Sequence, residues 1–232
     1  MKTDQLNEIV NFIVYKGGIC PTDDNHFGGD PNANAPLKLK IQQRPAELAS
    51  LIQFFLDKKA AGEKLEYYAE IGACSGGTTY AINEFLKFKE LLVIDDGGAE
   101  SIDFYVNQRG DQLRGQNLKT IPRIELIGHS ADSRVVDMAM HIASKQQYDI
   151  LFIDGDHSYE GVKNDTLNYL DLVRSGGYFV FHDTNHIEGI FRWLTEINSY
   201  LPQLKMIESF CFRDPYTDKY ENGIGLTVYQ KV

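Results

Sequence analysis

Residues 67–79 read Tyr67-Tyr68-Ala69-Glu70-Ile71-Gly72-Ala73-Cys74-Ser75-Gly76-Gly77-Thr78-Thr79: a short strand-like run, a turn dense in glycine and small side chains, and the start of a helical pattern. Small residues at such a turn let backbone approach a ligand closely, so the stretch reads as the opening of a parallel βαβ unit. The same alternation continues along the chain. Strands are predicted at Tyr67–Ile71, Leu91–Ile94, Ile124–Ile127, Ile150–Ile153 and Tyr178–Phe181, with helices between them. In one of these helices Val162, Thr166, Tyr169, Leu170 and Val173 share a face, with Ser175-Gly176-Gly177 as the stop. After a helix near Ile190–Ile197, Lys205–Phe210 and Ile224–Val228 follow as two strands without an intervening helix, which calls for an antiparallel partner at the sheet edge. The fold class is therefore α/β: a doubly wound sheet of seven strands, mostly parallel with an antiparallel last strand.

Upstream, Leu6, Ile9, Val10, Ile13 and Val14 mark a short amphipathic helix, and a second helix runs from Pro45 to about Lys59. Between them Pro21–Pro36 holds three Pro, two Gly, three Asn and three Asp and cannot sustain a regular element. A loop of this kind is a lid or a disordered segment. The expected organisation is a helix and lid loop over residues 1–44, followed by a catalytic domain over residues 45–232.

In open parallel sheets ligands bind at the carboxyl ends of the strands. The first strand delivers Glu70, Gly72 and Gly76; the spacing of the glycines lacks the dinucleotide pattern, and the Glu70 carboxylate suits a cationic ligand. These two features weigh against an NAD-dependent oxidoreductase. The second strand ends in Asp95-Asp96, about twenty residues beyond the glycine turn, where a carboxylate can accept both hydroxyls of a ribose. The fourth and fifth strands end Asp154-Gly155-Asp156-His157 and His182-Asp183-Thr184-Asn185-His186, bringing carboxylates and imidazoles to one edge. Such oxygen-rich sets favour Mg²⁺, Mn²⁺ or Ca²⁺. An N-cap role for Asp183 is the bland alternative. His26, His129 and His141 read as ordinary histidines, and Tyr67, Tyr68 and Trp193 as core.

Composition narrows the function classes. Thirty-three acidic and 23 basic side chains give a net charge of -10, which disfavours nucleic acid and anionic membranes as partners. Cys20, Cys74 and Cys211 are odd in number and form no CxxC pair, the signature of a reducing compartment. No stretch has the length of a membrane span, and a cytoplasmic protein is expected.

The run EIGACSGGTT resembles the first motif of class I S-adenosylmethionine-dependent methyltransferases, whose fold is Rossmann-like. FIDGDHSYEGVKND followed by SGGYFVFHDT resembles the branch with macrolide-sugar and rhamnosyl O-methyltransferases and cephalosporin hydroxylase-like proteins, over residues 45–230. The resemblance implies S-adenosylmethionine as cofactor, held by Glu70, Gly72, Gly76 and Asp95, with Ser130 near the adenine and His129 where relatives carry an aspartate. It further implies Mg²⁺ or another divalent cation on Asp154, Asp183 and His182, and a small-molecule hydroxyl acceptor such as a sugar. His157, three residues beyond Asp154, is the candidate general base, with His182 and His186 in reserve. Asp154 would act beside it through the cation. A cofactor-binding module without catalysis is the alternative, and it would not need Asp154, His157 and Asp183.

Overall fold

The computed structural model describes residues 2–16, 41, 43–97, 102–103, 108–212 and 223–232, with the backbone alone at 2, 15–16, 102–103 and 108–113. The Pro21–Pro36 loop, Cys20 and His26 lie outside the described residues. Seven strands form one sheet: β1 Tyr67–Ile71, β2 Glu90–Asp95, β3 Arg123–Ile127, β4 Tyr148–Ile153, β5 Val173–His182, β6 Leu204–Phe210 and β7 Leu226–Lys231. Their order is β3-β2-β1-β4-β5-β7-β6. The pairs from β3 to β5 are parallel, while β7 runs antiparallel to both its neighbours. Helices α1 Lys2–Lys16, α2 Pro45–Ala60, α3 Gly77–Leu86, α4 Gly110–Asn117, α5 Ser133–Ala143, α6 Tyr159–Asn168 and α7 Glu188–Tyr200 complete the fold. A two-stranded ribbon, Ile102–Asp103 with Gln108–Arg109, stands apart from the main sheet. None of the described helices is long and apolar enough to cross a membrane.

Side-chain alternation assigns the two sheet faces. Tyr68, Ile150, Phe152, Tyr178 and Val180 pack with Ile9 and Ile13 of α1 and Leu48, Leu51, Ile52 and Phe55 of α2. Ala69, Ile71, Leu151, Ile153, Phe179 and Phe181 pack with Ala139, Val162, Trp193 and Ile197 of α5–α7. Both faces are covered, which is why the parallel strands read as nearly continuous apolar runs.

One expectation needs correction. The helix expected to run to Ser175 ends at Asn168; Leu170–Leu172 make a single 3₁₀ turn and β5 already begins at Val173. Tyr169, Leu172 and Val173 are all buried, so their apolar spacing records the core and not a helix. The two late strands form an antiparallel pair at the sheet edge, as expected, with the last strand on the inside. Leu226, Thr227, Val228 and Tyr229 are all buried, and β7 inserts between β5 and β6. The edge goes to β6, whose Lys205–Ser209 are exposed and whose pairing is interrupted between Met206 and Glu208, features that discourage further strand addition.

Candidate active site

The carboxyl ends of β1, β2, β4 and β5 converge on one edge of the sheet. Gly72 leaves β1 with φ +83, and a Cβ there would lie 2.1 Å from the carbonyl oxygen of Asp154. Only glycine lets the two strand ends touch. Asp154 N–H donates to Ile71 O and so joins the ends of β4 and β1, while Gly72 N–H donates to Ile94 O and ties the turn to β2, each at 2.9 Å. Gly76, at φ +75, starts α3.

Glu70 is buried beneath this turn, 1% exposed, and its Oε2 accepts from the hydroxyls of Tyr68 at 2.8 Å and Thr79 at 2.6 Å. Burial pushes its carboxyl up to about 7, against the lowering effect of those two bonds. Tyr68 is core, as expected, yet it also supports a site residue.

Asp95 ends β2, and both its oxygens have protein partners. Its Oδ2 accepts from Cys74 N–H at 2.8 Å and its Oδ1 from Gly97 N–H at 2.9 Å. The Arg114 guanidinium, wholly buried, lies 3.0 Å from Oδ1 and also donates to Cys74 O. Asp95 therefore braces the glycine turn, a role its position after a strand does not reveal. Ser130 lies beyond β3; its carbonyl accepts from Tyr169 Oη at 2.7 Å, and its hydroxyl bonds Asp165. His129 and His141 are exposed, the former's ring accepting from Ala131 N–H at 3.1 Å.

The β4 and β5 ends form a tight cluster. His182 Nδ1 lies 2.9 Å from Asp154 Oδ1 and 3.4 Å from Asp183 Oδ2. His157 Nε2 lies 3.2 Å from Asp154 Oδ1, and its Nδ1 3.4 Å from Asp183 Oδ2. His182 is buried, whereas the His157 side chain is 38% exposed and can meet a ligand. Burial opposes charge on both Asp154 and His182, but their mutual attraction outweighs it, lowering the Asp154 carboxyl and raising the His182 imidazole. Asp183 holds φ +57, a strained conformation for a side chain that is not glycine, so its placement is imposed by the fold. It caps no helix; α7 starts five residues later. One ligand atom each from Asp154, His182 and Asp183 lie within 4.8 Å of one another, a donor set of two carboxylates and an imidazole that fits a divalent cation. Asp156 instead accepts from Ser158 N–H at 2.9 Å, beside the start of α6, and His186 is exposed beyond the Asp183 turn.

Sequence reasoning missed three buried polar residues that hold the site together. Gln43, just before α2, donates from Nε2 to Asp154 Oδ2 at 2.7 Å. Glu47 on α2 accepts backbone N–H bonds from Phe212, Ile224 and Gly225 at 3.1, 3.2 and 3.1 Å, tying the chain after β6 to the start of β7. Arg114 is the third. A lone polar residue in or beside a helix looks like a solvated face until packing shows otherwise, so only the glycines and strand-end carboxylates gave a signal.

A family model described as a methyltransferase domain matches residues 69–184. An uncharacterized protein of Acanthamoeba polyphaga mimivirus is 32% identical over 133 residues, 56% of this chain and 55% of that protein. The chain thus matches about half the length of this curated relative. Among solved structures, the O-methyltransferase NovP superposes with a TM-score of 0.59 at 14% identity over 100% of both chains. The N-methyltransferase NodS of Bradyrhizobium japonicum WM9, in complex with S-adenosyl-L-homocysteine, gives 0.51 at 13% identity over 99% of this chain and 98% of that one. At these identities the structural likeness establishes the fold.

Proposed function

The chain belongs to the methyltransferase-domain family, and from that premise we propose that it transfers the methyl group of S-adenosylmethionine to a hydroxyl of a small molecule, a sugar or sugar-bearing metabolite. The observation that carries this reading is the convergence of the Gly72–Gly76 turn with the Asp154–His157–His182–Asp183 cluster, in direct backbone contact. The cofactor brings an activated methyl group on a cationic sulfur. Glu70, Gly72 and Gly76 would take its methionine portion, Asp95 its ribose and Ser130 its adenine edge. An acceptor hydroxyl is a poor nucleophile while protonated. His157 is placed to remove that proton: its Nε2 is oriented by Asp154, and its Nδ1, with only a long contact to Asp183, is the atom that receives it. A divalent cation on Asp154, Asp183 and His182 would supply Lewis acidity that lowers the hydroxyl's pKa.

A second reading, the same transfer without a cation, is favoured by one observation. Both oxygens of Asp154 already accept or face donors, from His157 and His182 on Oδ1 and from Gln43 on Oδ2. The test is calorimetry with S-adenosyl-L-homocysteine, followed by transfer of labelled methyl from S-adenosylmethionine to a panel of glycosides before and after exhaustive EDTA dialysis. Binding with EDTA-sensitive transfer is expected. EDTA-resistant transfer selects the cation-free reading, and failure to bind the cofactor product overturns both.

A further inference from the structure

Gln43 stands between the two halves of the site. It is 2% exposed, and both ends of its amide are engaged: Nε2 donates to Asp154 Oδ2 at 2.7 Å, and Oε1 accepts from the Thr78 hydroxyl. A carboxylate can only accept, so Asp154 settles which end of the amide faces it and obliges Thr78 to be the donor. Thr78 is the second residue of α3, the helix that starts from the Gly76 turn. Its neighbour Thr79 donates to Glu70 instead. The first turn of the cofactor-side helix is thus tied through Thr79 to the carboxylate under the turn, and through Thr78 and Gln43 to the carboxylate of the acidic cluster.

The backbones between the two halves cannot carry adjustment. Gly72 and Asp154 are in contact, Asp154 N–H to Ile71 O holds β4 against β1, and Gly72 N–H to Ile94 O anchors the turn to β2. The side-chain relay is the adjustable connection. Gln43 is also a neutral donor: it occupies Oδ2 without cancelling the charge of Asp154, leaving Oδ1 turned toward His157 and His182. Loss of the amide would free the carboxylate to rotate.

We propose that Gln43 is a positioning residue that couples the cofactor turn to the Asp154–His182–Asp183 cluster, so that a ligand at either place changes the affinity of the other through the Thr78–Gln43–Asp154 relay. The inference rests on the reading of the two halves as cofactor and cation sites. Coupling between sites is a reciprocal free energy, of a size that commonly changes affinity between fivefold and about a hundredfold.

The experiment titrates Mg²⁺ calorimetrically into the full chain with and without saturating S-adenosyl-L-homocysteine, for the parent, Gln43→Met and Thr78→Val. In the parent the cofactor product should shift Mg²⁺ affinity by about tenfold. In either variant the shift should fall below about twofold. Thr78→Val removes one hydroxyl at constant shape and keeps the test valid should Gln43→Met not fold. A merely structural role for Gln43 would weaken both ligands and leave the shift intact, and that result overturns the proposal. So does a parent with no shift, or with no Mg²⁺ binding. A parent that fails to bind S-adenosyl-L-homocysteine overturns the functional reading itself, which separates that failure from failure of the relay.

Discussion

Replacing Gly72 by alanine should be among the most damaging single-methyl additions available to this chain. Two penalties act at once. The first is conformational, because φ +83 costs a residue with a Cβ about 1–2 kcal/mol. The second is steric: the new methyl would lie 2.1 Å from Asp154 O, 2.5 Å from Asp154 C and 2.7 Å from Gly155 Cα, all backbone atoms that cannot swing aside. Relief requires the ends of β1 and β4 to part where Asp154 N–H meets Ile71 O, adding an overpacking cost of about 1–3 kcal/mol and a weakened hydrogen bond of about 1 kcal/mol. The total is about 3–6 kcal/mol, or a fall in Tm on the order of 10 °C for a chain of this size. Gly62 provides the internal control. It has φ +97 but nothing within 4 Å of its would-be Cβ, so Gly62→Ala should show the conformational penalty alone. Urea unfolding of the two variants beside the parent measures the difference. Equal losses for both would refute the claim that backbone contact between β1 and β4 makes glycine obligatory at 72.

Asp95→Asn should weaken S-adenosyl-L-homocysteine about tenfold to a hundredfold and, by leaving buried Arg114 with Glu125 at 3.5 Å as its remaining carboxylate, cost about 1–3 kcal/mol of stability; calorimetry and urea unfolding report the two separately, and unchanged affinity removes Asp95 from the cofactor site. Glu70 titrates at about 7 in the fold against 4.5 ordinarily, so between those values the native state holds more protons than the unfolded chain and stability falls as pH rises. The loss across that window is about 3 kcal/mol, and Glu70→Gln should flatten it in urea midpoints measured from pH 4.5 to 8; a variant whose profile parallels the parent's would exclude Glu70 as the source. His157→Ala should lower kcat by about 10² to 10⁴ with cofactor-product affinity unchanged, since its side chain bonds Asp154 and contacts Asp183 at the ends of β4 and β5; a variant that keeps its rate passes the base to another group.

How much of this was legible beforehand depended on periodicity. Strands β1, β2, β4 and the second half of β5 run as apolar segments because each is covered on both faces, and the turn after β1 announces itself through Gly72, Gly76 and Gly77. The strand-end residues Asp95, Asp154, His157, His182 and Asp183 were legible for a related reason: a charged side chain directly after an apolar strand has few places to go except the sheet's carboxyl edge. Periodicity misled where burial extended past a helix, as at Tyr169, Leu172 and Val173, which belong to the core through a 3₁₀ turn and a strand. It was also silent on strand order, because an antiparallel pair reads alike whichever member is internal. The swap of β7 inward and β6 outward follows from which strand can bury both faces.

By itself, then, the sequence determined the α/β class, the glycine turn and the set of carboxylates and imidazoles at the strand ends, since these depend on short-range spacing and on the period of the strands. Tertiary structure alone decided how those groups are satisfied. Asp95 is shared among Cys74, Gly97 and Arg114; Asp154 lies between two histidines and Gln43; Glu47 gathers the backbone of Phe212, Ile224 and Gly225. Apart from Gly97 and His157, which are near neighbours in sequence, each partner arrives from a distant part of the chain. A buried polar group must find a partner wherever the fold delivers one, and that delivery leaves no trace in local spacing.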